Sequence, residues 1–498
     1  MPSSHDVRHA DKALVSALSA ALLTTVVACR AERTLAGKVI VVMKGVRQLG
    51  LELVRLSLEA QDEPHRCRGA KAKCPKCGAV ARKLKGLKKR QRYTLLGKVE
   101  YRRARFECVD AKCCHTFSPL DEELGLDALH GGHSREFVSE LVLFCTVMSF
   151  EKGCELFRRA HGFAVSHTLG WQLAFRIGKK LTDDELSRAN ALWGERFDVP
   201  EKFEPPPYAL RQMKRKNRLY VMSDNSKMPM QLGKRGRKAK KKKAGQPADA
   251  WRDARALLIF EQEDLAANSS GKRRMILKRR VVSHIGTLDE WYRLVFMAFY
   301  EEGVFWAHEV VIINDGGAGI WEMFDELLPS TERRRVVHIL DWYHAVQHLW
   351  TVGRLLKGVT KQGDATKACS DWVRGLVDYL ARGEVSNVLQ RLRKIKKGTA
   401  EAKAKLADLI RYFDKHRERM RYAAFRKAGM LIGSGAIESV HNWVIQARCR
   451  LPGMRWSVEG ANAMLRLRCA WASGRWDDIF KPAADTPGPA PSELRAVA

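Results

Sequence analysis

Four acidic residues stand where their chemistry could be shared. Asp224 follows the apolar run Tyr220-Val221-Met222-Ser223, Asp315 follows Val310-Val311-Ile312-Ile313-Asn314, and Asp341 follows Val336-Val337-His338-Ile339-Leu340. Short β-branched apolar runs read as strands, so each carboxylate is expected at a strand end. The ends of adjacent strands converge on one rim of a sheet. Glu438, in Gly433-Ser434-Gly435-Ala436-Ile437-Glu438, is expected to open a helix further along. Gathered together, such acids suit phosphodiester chemistry: a carboxylate cluster holds two Mg²⁺ ions about 4 Å apart, one activating the attacking oxygen and one stabilising the leaving oxygen. Without cations they would repel each other and a phosphate alike. Any one of them alone is an ordinary turn residue; only the set is specific.

The cysteines suggest a second metal. Of twelve, six (Cys67, Cys74, Cys77, Cys108, Cys113 and Cys114) fall within 48 residues. Cys74-Pro75-Lys76-Cys77-Gly78 is a metal knuckle, in which two thiolates at this spacing reach one ion and the glycine lets backbone amides turn toward sulfur. Cys108 with Cys113 or Cys114 supplies the second pair. Four thiolates make a closed tetrahedral Zn²⁺ site, structural because no position is left for substrate. Cys67 and His65 are weaker ligand candidates. Between the pairs, Lys83, Lys85, Lys88, Lys89, Arg90 and Arg92 are placed as in a zinc ribbon lying along DNA.

The elements that must position these residues follow from periodicity. Residues 1–64 read as an N-terminal helical region, 65–120 as the zinc ribbon, and 121–205 as a helical region. Within the last, 150–160, a break at Gly162 and 166–179 give helix, turn, helix, with Ser166 as N-cap. The triple proline at 205–207 reads as a linker. Strands are expected at 218–222, 256–261, 277–284, 309–313 and 336–340, with a helix over 288–300, which predicts a mixed α/β sheet across 206–345. Residues 346–430 read as all-helical, helix resumes through 437–471 to complete the segment 431–475, and 476–498 reads as a flexible tail. The apolar stretch 13–28, with Val26-Val27-Ala28-Cys29 loosely like a lipoprotein cleavage site, is read as a buried amphipathic helix: it is short for a membrane span, and Asp6 and Asp11 spoil a basic leader. Trp342 and Tyr343 are expected in the core.

At 498 residues, about three domains are expected. With 45% hydrophobic and 29% charged residues, the chain can bury sizeable cores. Its net charge of +33 is unusual for a metabolic enzyme and points to a polyanionic partner. Eight of the ten residues 234–243 are basic (Lys234, Arg235, Arg237, Lys238, Lys240, Lys241, Lys242 and Lys243). They read as a solvated loop able to clamp a phosphate backbone.

The order Ser223-Asp224-Asn225, Asn314-Asp315-Gly316, Leu340-Asp341-Trp342-Tyr343-His344, then Gly433-Ser434-Gly435-Ala436-Ile437-Glu438-Ser439 resembles bacterial insertion-sequence transposases of the DDE class, and among them the IS-Kra-type group of the Mutator-like superfamily. The block from Gln446 through Gly453-Met454-Arg455-Trp456-Ser457 to Arg466, and Cys108 with Phe117-Ser118-Pro119-Leu120, resemble the same family; the likeness spans about residues 60–475. It implies an RNase H-like catalytic fold with an all-helical insertion before the last acid. It also implies Asp224, Asp315 and Glu438 as a Mg²⁺-binding triad, with Mn²⁺ able to substitute, and Asp341 and His344 as an accessory Asp-x-x-His motif. Arg448, Arg450 and Arg455 become candidate DNA contacts. Cys113 takes the fourth zinc position and Cys114 replaces the family's following glycine; Asn225 stands where glycine is usual and tolerates left-handed angles. The implied activity is Mg²⁺-dependent cleavage at element ends and strand transfer into target DNA, by a homo-oligomer, a dimer on duplex DNA, in the nucleoid-associated cytoplasm and with no membrane partner. The alternatives are an inactive DNA-binding descendant and an RNase H-like nuclease that cuts without joining.

Overall fold

The computed structural model describes residues 4–124, 129–194, 218–231, 251–267, 274–317, 319–331 and 334–481. The basic run 234–243, the prolines 205–207 and the proline-rich end beyond 481 lie outside the described residues. The chain divides into two compact units, Met1–Ile177 and Gly178–Ala498.

In the first unit, α1 (Ser4–Ala31) and α2 (Leu35–Gln61) form a hairpin, with the Thr34 side chain accepting from the Gly37 amide to start α2. The apolar stretch 13–28 is not buried as expected. Val15, Leu22, Leu23 and Val27 are more than half exposed, because among the described residues α2 is the one element that packs extensively on α1. A short helix, α3 (Glu63–Arg66), leads into four short antiparallel strands, β1 (Lys71–Lys73), β2 (Val80–Lys83), β5 (Phe106–Cys108) and β6 (Thr116–Phe117), in the order β1-β2-β5-β6. The hairpin of β3 (Lys88–Thr94) and β4 (Gly97–Arg103) leaves this sheet and returns. Its Val99 and Tyr101 pack with Leu120 of α4 (Pro119–Glu123) against Leu51, Val54 and Leu58 of α2.

Helices α5 (Arg135–Val147), α6 (Phe150–His161) and α7 (His167–Gly194) follow. The helix–turn–helix reading holds at both signals: Gly162 takes φ 70°, and Ser166 Oγ accepts from the Leu169 amide at 3.1 Å. At Gly153 a Cβ would lie 2.9 Å from the backbone of Phe144 and Cys145, so α5 and α6 approach closely only because that side chain is absent.

The second unit is built on a five-stranded mixed sheet. Its strands are β7 (Arg218–Pro229), β8 (Trp251–Glu261), β11 (Arg280–His284), β12 (Glu309–Asn314) and β13 (Arg335–Leu340), in the order β11-β8-β7-β12-β13. β7, β8 and β11 pair antiparallel, while β7, β12 and β13 run parallel. The parallel strands are apolar on both faces, as expected of strands covered on both sides; Val310 to Ile313 are fully buried. Two of these strands differ from expectation. The strand read at 277–284 starts later, as β11 at Arg280, which joins the large sheet, while β10 (Arg274–Ile276), just before the expected start, pairs with β9 (Leu265–Ala267). β7 does not end at Asp224 but runs on to Pro229, because β8 extends beside it with Asp224 opposite Ala256. Asn225 is therefore extended and not left-handed.

Helices α8 (Leu288–Glu301), started by a capping box of Thr287 and Glu290, and α9 (Ile320–Leu327) connect the strands. A helical block follows β13: α10 (Trp342–Lys357), α11 (Lys367–Ala381), α12 (Val385–Arg393), α13 (Ala400–Lys415) and α14 (Tyr422–Lys427). The helix read through 437–471 is broken. α15 (Gly435–Val440) passes into a π-helical turn at His441–Gln446 and the short α16 (Ala447–Cys449). Pro452 and Gly453, the latter at φ 73°, then interrupt the chain before α17 (Val458–Ala472).

His416 makes one consequence of this packing measurable. It is 1% exposed, burial pushes its pKa down to about 4, and Arg419 donates to its Nδ1. An unfolded histidine titrates near 6.5, so the stabilisation is full above about pH 6.5 and is lost as pH falls toward about 4. Urea unfolding of His416→Gln is expected to show a shallower loss of stability between pH 7 and 5 than the natural chain. An identical slope would remove His416 as a contributor.

Candidate active site and metal centre

The four predicted cysteines meet. The ligand atoms of Cys74, Cys77, Cys108 and Cys113 all lie within 4.8 Å of one another, the only such group of three or more His, Cys, Asp or Glu among the described residues. Gly78, at φ 75°, turns the first knuckle so that its amide returns to the Cys74 carbonyl at 2.8 Å. The second loop folds its Cys113 and Cys114 amides onto the Asp110 carbonyl. Cys114 takes φ 45°, the one positive value at a non-glycine residue among those described, so its side chain leaves the ligand set and Cys113 completes it. Cys67 and His65 do not join: the Cys67 thiol sits 3.6 Å from the Glu63 carbonyl, and His65 pairs with Glu123 at 2.7 Å.

The donor set fits a metal ion such as zinc. All four cysteines are free thiols. Against the burial that raises it, the Lys76 and Cys77 amides hold the Cys74 thiol down to about 7, while burial pushes Cys108 up to about 12. Thiols so close cannot all ionise unless a cation shares the site. With four sulfur donors and no open position, such an ion would hold structure and not process substrate.

The acids lie on a different device. β7 and β12 pair with Met222 opposite Ile313, and β12 and β13 with Asn314 opposite Leu340. One or two residues beyond those pairs come Asp224, within β7, and Asp315 and Asp341, just past the ends of the two neighbouring strands; no three of the predicted acids have carboxylate oxygens within 4.8 Å of one another, so the structure brings them to one rim without closing them as it closes the cysteines. Asn314 fixes this register: its Oδ1 accepts from the Ser223 amide at 2.8 Å, and its carbonyl accepts from the Asp341 amide at 2.8 Å. Burial pushes the Asp224 carboxyl above the usual range, Asp315 and Asp341 push the same way, and the Asn225 amide and His344 oppose them.

Asp341 differs from its neighbours. It is 2% exposed and accepts from the amides of Tyr343, His344 and Ser434 at 3.0 to 3.2 Å. It thus caps α10 and anchors the loop that leads to Glu438. Gly433 lets the Tyr343 ring lie close against that loop, since a Cβ there would meet the ring at 2.6 Å and push it aside. Tyr343 itself is 66% exposed, not in the core as expected, because the first turn of α10 faces out beside the loop. Trp342 is half-buried and packs edge-on to Tyr422.

Glu438 is exposed in the first turn of α15. One helical turn on, His441 brings this helix to the acids, its Nε2 lying 3.5 Å from Asp224 Oδ2. His441 is buried, neither ring nitrogen makes a hydrogen bond, and burial pushes its pKa down to about 4. Among the described residues, no lysine or arginine pairs with Asp224, Asp315, Asp341 or Glu438, although 89 are present in the chain. The carboxylates keep oxygens free: Asp224 and Asp315 each accept one local amide, from Asn225 and Gly317. Carboxylate oxygens left without a lysine or arginine partner, as at Asp224 and Asp315, suit hard, oxygen-seeking divalent cations.

Sequence reading missed His441 and two tyrosines. The Tyr412 hydroxyl donates to the Asp315 carbonyl and the Tyr422 hydroxyl to the Leu340 carbonyl at 3.1 Å, so the helical block holds both strand ends. Burial and the charges of Asp315 and Asp341 raise the Tyr412 pKa. His344 stacks edge-on with His348, which in turn packs on Tyr412. The spacing Glu438-x-x-His441 places both residues on one helix face and was visible in the sequence. The tyrosines, 97 and 82 residues from their partners, carried no local signal.

The arginines of the last block separate. Arg450 and Arg455 are exposed. Arg448 is fully buried, with its guanidinium over the Trp456 ring at 5.3 Å, and so is no DNA contact; it lies on the inward side of the turn closed by Pro452 and Gly453. Arg448→Ala is expected to cost on the order of 2 kcal/mol in thermal or urea unfolding, with the DNA affinity of folded protein unchanged. Weaker DNA binding at full stability would reverse that assignment.

No described helix is long and apolar enough to cross a membrane. Compared with known proteins, the chain matches no family model, and a search of curated proteins returns no match.

Proposed function

We propose that this chain is a DDE-class DNA transposase of the IS-Kra type, cutting duplex DNA at insertion-sequence ends and joining the freed ends to target DNA. The observation that carries the reading is the set of Asp224, Asp315 and Asp341 on or just past three adjacent strands, unpaired with any described lysine or arginine in a chain of +33. The strand order β11-β8-β7-β12-β13, followed by helices before Glu438, supports an RNase H-like catalytic fold with a helical insertion.

Asp224, Asp315 and Glu438 would hold two Mg²⁺ ions, which when bound activate the attacking oxygen and stabilise the leaving one. The remaining roles belong to the protein. Asn314 and Tyr412 set where Asp315 stands; Asp341 holds the loop that delivers Glu438; His441 packs on Asp224 and keeps water from one side of its carboxylate. His344, in the first turn of α10, faces the same acids and is placed to meet a phosphate. The four-cysteine ribbon, holding Zn²⁺, and the helix–turn–helix of α6 and α7 would grip the duplex, with the run 234–243 as a sequence-independent clamp. Two copies on paired ends would make the working assembly.

The test is incubation of the purified chain with labelled duplexes carrying the DNA that flanks its own coding sequence, in Mg²⁺ or Mn²⁺. Cuts at fixed positions near one end of the element are expected. Binding without cutting under either ion would favour the inactive DNA-binding descendant.

A further inference from the structure

A cavity of about 340 Å³ lies between the β3–β4 hairpin and the segment running from β6 into α4, walled by Lys88, Arg90, Arg103, Arg105, Ser118, Asp121 and Glu122 among others. Alternation along the hairpin explains its charge. Lys88 pairs with Arg103 and Arg90 with Tyr101, so Lys88, Arg90, Arg92 and Arg103 project from one face. One carboxylate answers them directly: Arg103 Nη2 is 2.7 Å from Asp121 Oδ2. Burial, and then the charge of Arg90, hold the Arg92 guanidinium below its usual pKa. The face carries more positive charge than it neutralises.

Its hydrogen bonds are also incomplete. Arg103 is 6% exposed and Ser118 is 2% exposed, yet Arg103 Nε and Nη1 and Ser118 Oγ have no partner, and neither has Arg90 Nε. Buried donors left unmade are costly, charged ones most of all. Forked guanidinium donors around a hydroxyl, with a surplus of positive charge, match a tetrahedral oxyanion. Exposed Lys71, Lys73 and Lys85 flank the ribbon strands, extending the charge beyond a single small anion. We propose that this pocket seats one backbone phosphate of duplex DNA, with Arg90, Arg103 and Ser118 as its donors. The ligand rests on the reading of the chain as a DNA-binding protein, whereas the site is independent of the acids on the sheet.

The test uses the full chain with zinc bound and a random-sequence duplex. Arg103→Ala would strand Asp121, so the informative variants are Arg90→Gln and Ser118→Ala, each checked for natural zinc content and melting temperature. Arg90→Gln is expected to lower the log–log salt slope of DNA binding by about 0.9. Ser118→Ala is expected to weaken affinity about tenfold with the slope unchanged. A second arm measures stabilisation by inorganic phosphate. Natural affinity and slope in both variants would overturn the proposal. Loss of phosphate stabilisation with DNA binding intact would make this a site for a free anion, which also overturns it. If the natural chain bound no duplex at all, the DNA-binding reading would fail first, and visibly so.

Discussion

Asp315→Asn will abolish metal-dependent cleavage while leaving DNA binding intact. The substitution keeps the size of the side chain and an oxygen for the Gly317 amide, so the loop after β12 survives. It removes a negative charge from the position proposed, with Asp224, to hold divalent cations. An effect of several kcal/mol on the barrier is expected, a rate loss of at least about 10³-fold. Asp224→Asn and Glu438→Gln should behave alike. DNA affinity, which rests on basic side chains, should be unchanged or slightly tighter, because one repulsion with phosphate disappears. Asp341→Asn should differ in kind. Asp341 accepts three amides and anchors the loop before Glu438, so its loss should lower thermal stability along with rate. Cleavage assays with gel-shift and melting controls separate these outcomes, and a fully active Asp315→Asn would remove the triad.

The second large effect concerns the ribbon. Its buried cluster is Cys74, Ala81, Ala104, Phe106, Cys108 and Phe117, so two of its six members are ligands. The four that remain bury too little apolar surface to order the segment. Cys113→Ser, or a strong chelator, should therefore unfold the ribbon, with an apparent loss on the order of 10 kcal/mol of metal-coupled stability. Proteolysis within 67–117 and loss of DNA binding are the readouts. The neighbouring substitution predicts the reverse. Cys114 holds φ 45°, where glycine is unstrained, so Cys114→Gly should keep its metal and change stability by about 0–1 kcal/mol in the favourable direction. A chain that tolerates Cys113→Ser but loses metal with Cys114→Gly would invert the ligand assignment.

These two sites were legible to different degrees for a physical reason. The zinc knuckle is local: two thiolates at short spacing and a glycine determine its geometry, and the one doubtful ligand was settled by the backbone angle at Cys114. The acids could be picked out because each follows an apolar run, but their register needed the pairing of β7, β12 and β13. Asp224 misled as to strand length, since the chain beyond it, Asn225 to Pro229, has no apolar run and is extended only because β8 pairs with it. Arg448 looked like its neighbours Arg450 and Arg455, and only the turn at Pro452 and Gly453 puts it inside. Tyr412 and Tyr422 reach the strand ends from the far helices, a contact that no local pattern encodes. The apolar helix at 13–28 shows the converse: periodicity gives the element, while burial depends on whether another layer covers it.

The most direct measurement follows the fate of a cut end. A labelled duplex ending at the cleavage position, with a free 3′-hydroxyl, is incubated with the chain, Mg²⁺ and a supercoiled plasmid. Covalent joining of the label to plasmid is expected, requiring Asp224, Asp315 and Glu438 together, and none from an otherwise identical end carrying a 3′-deoxy terminus. Efficient cutting with no joined product would contradict it and leave a nuclease in its place.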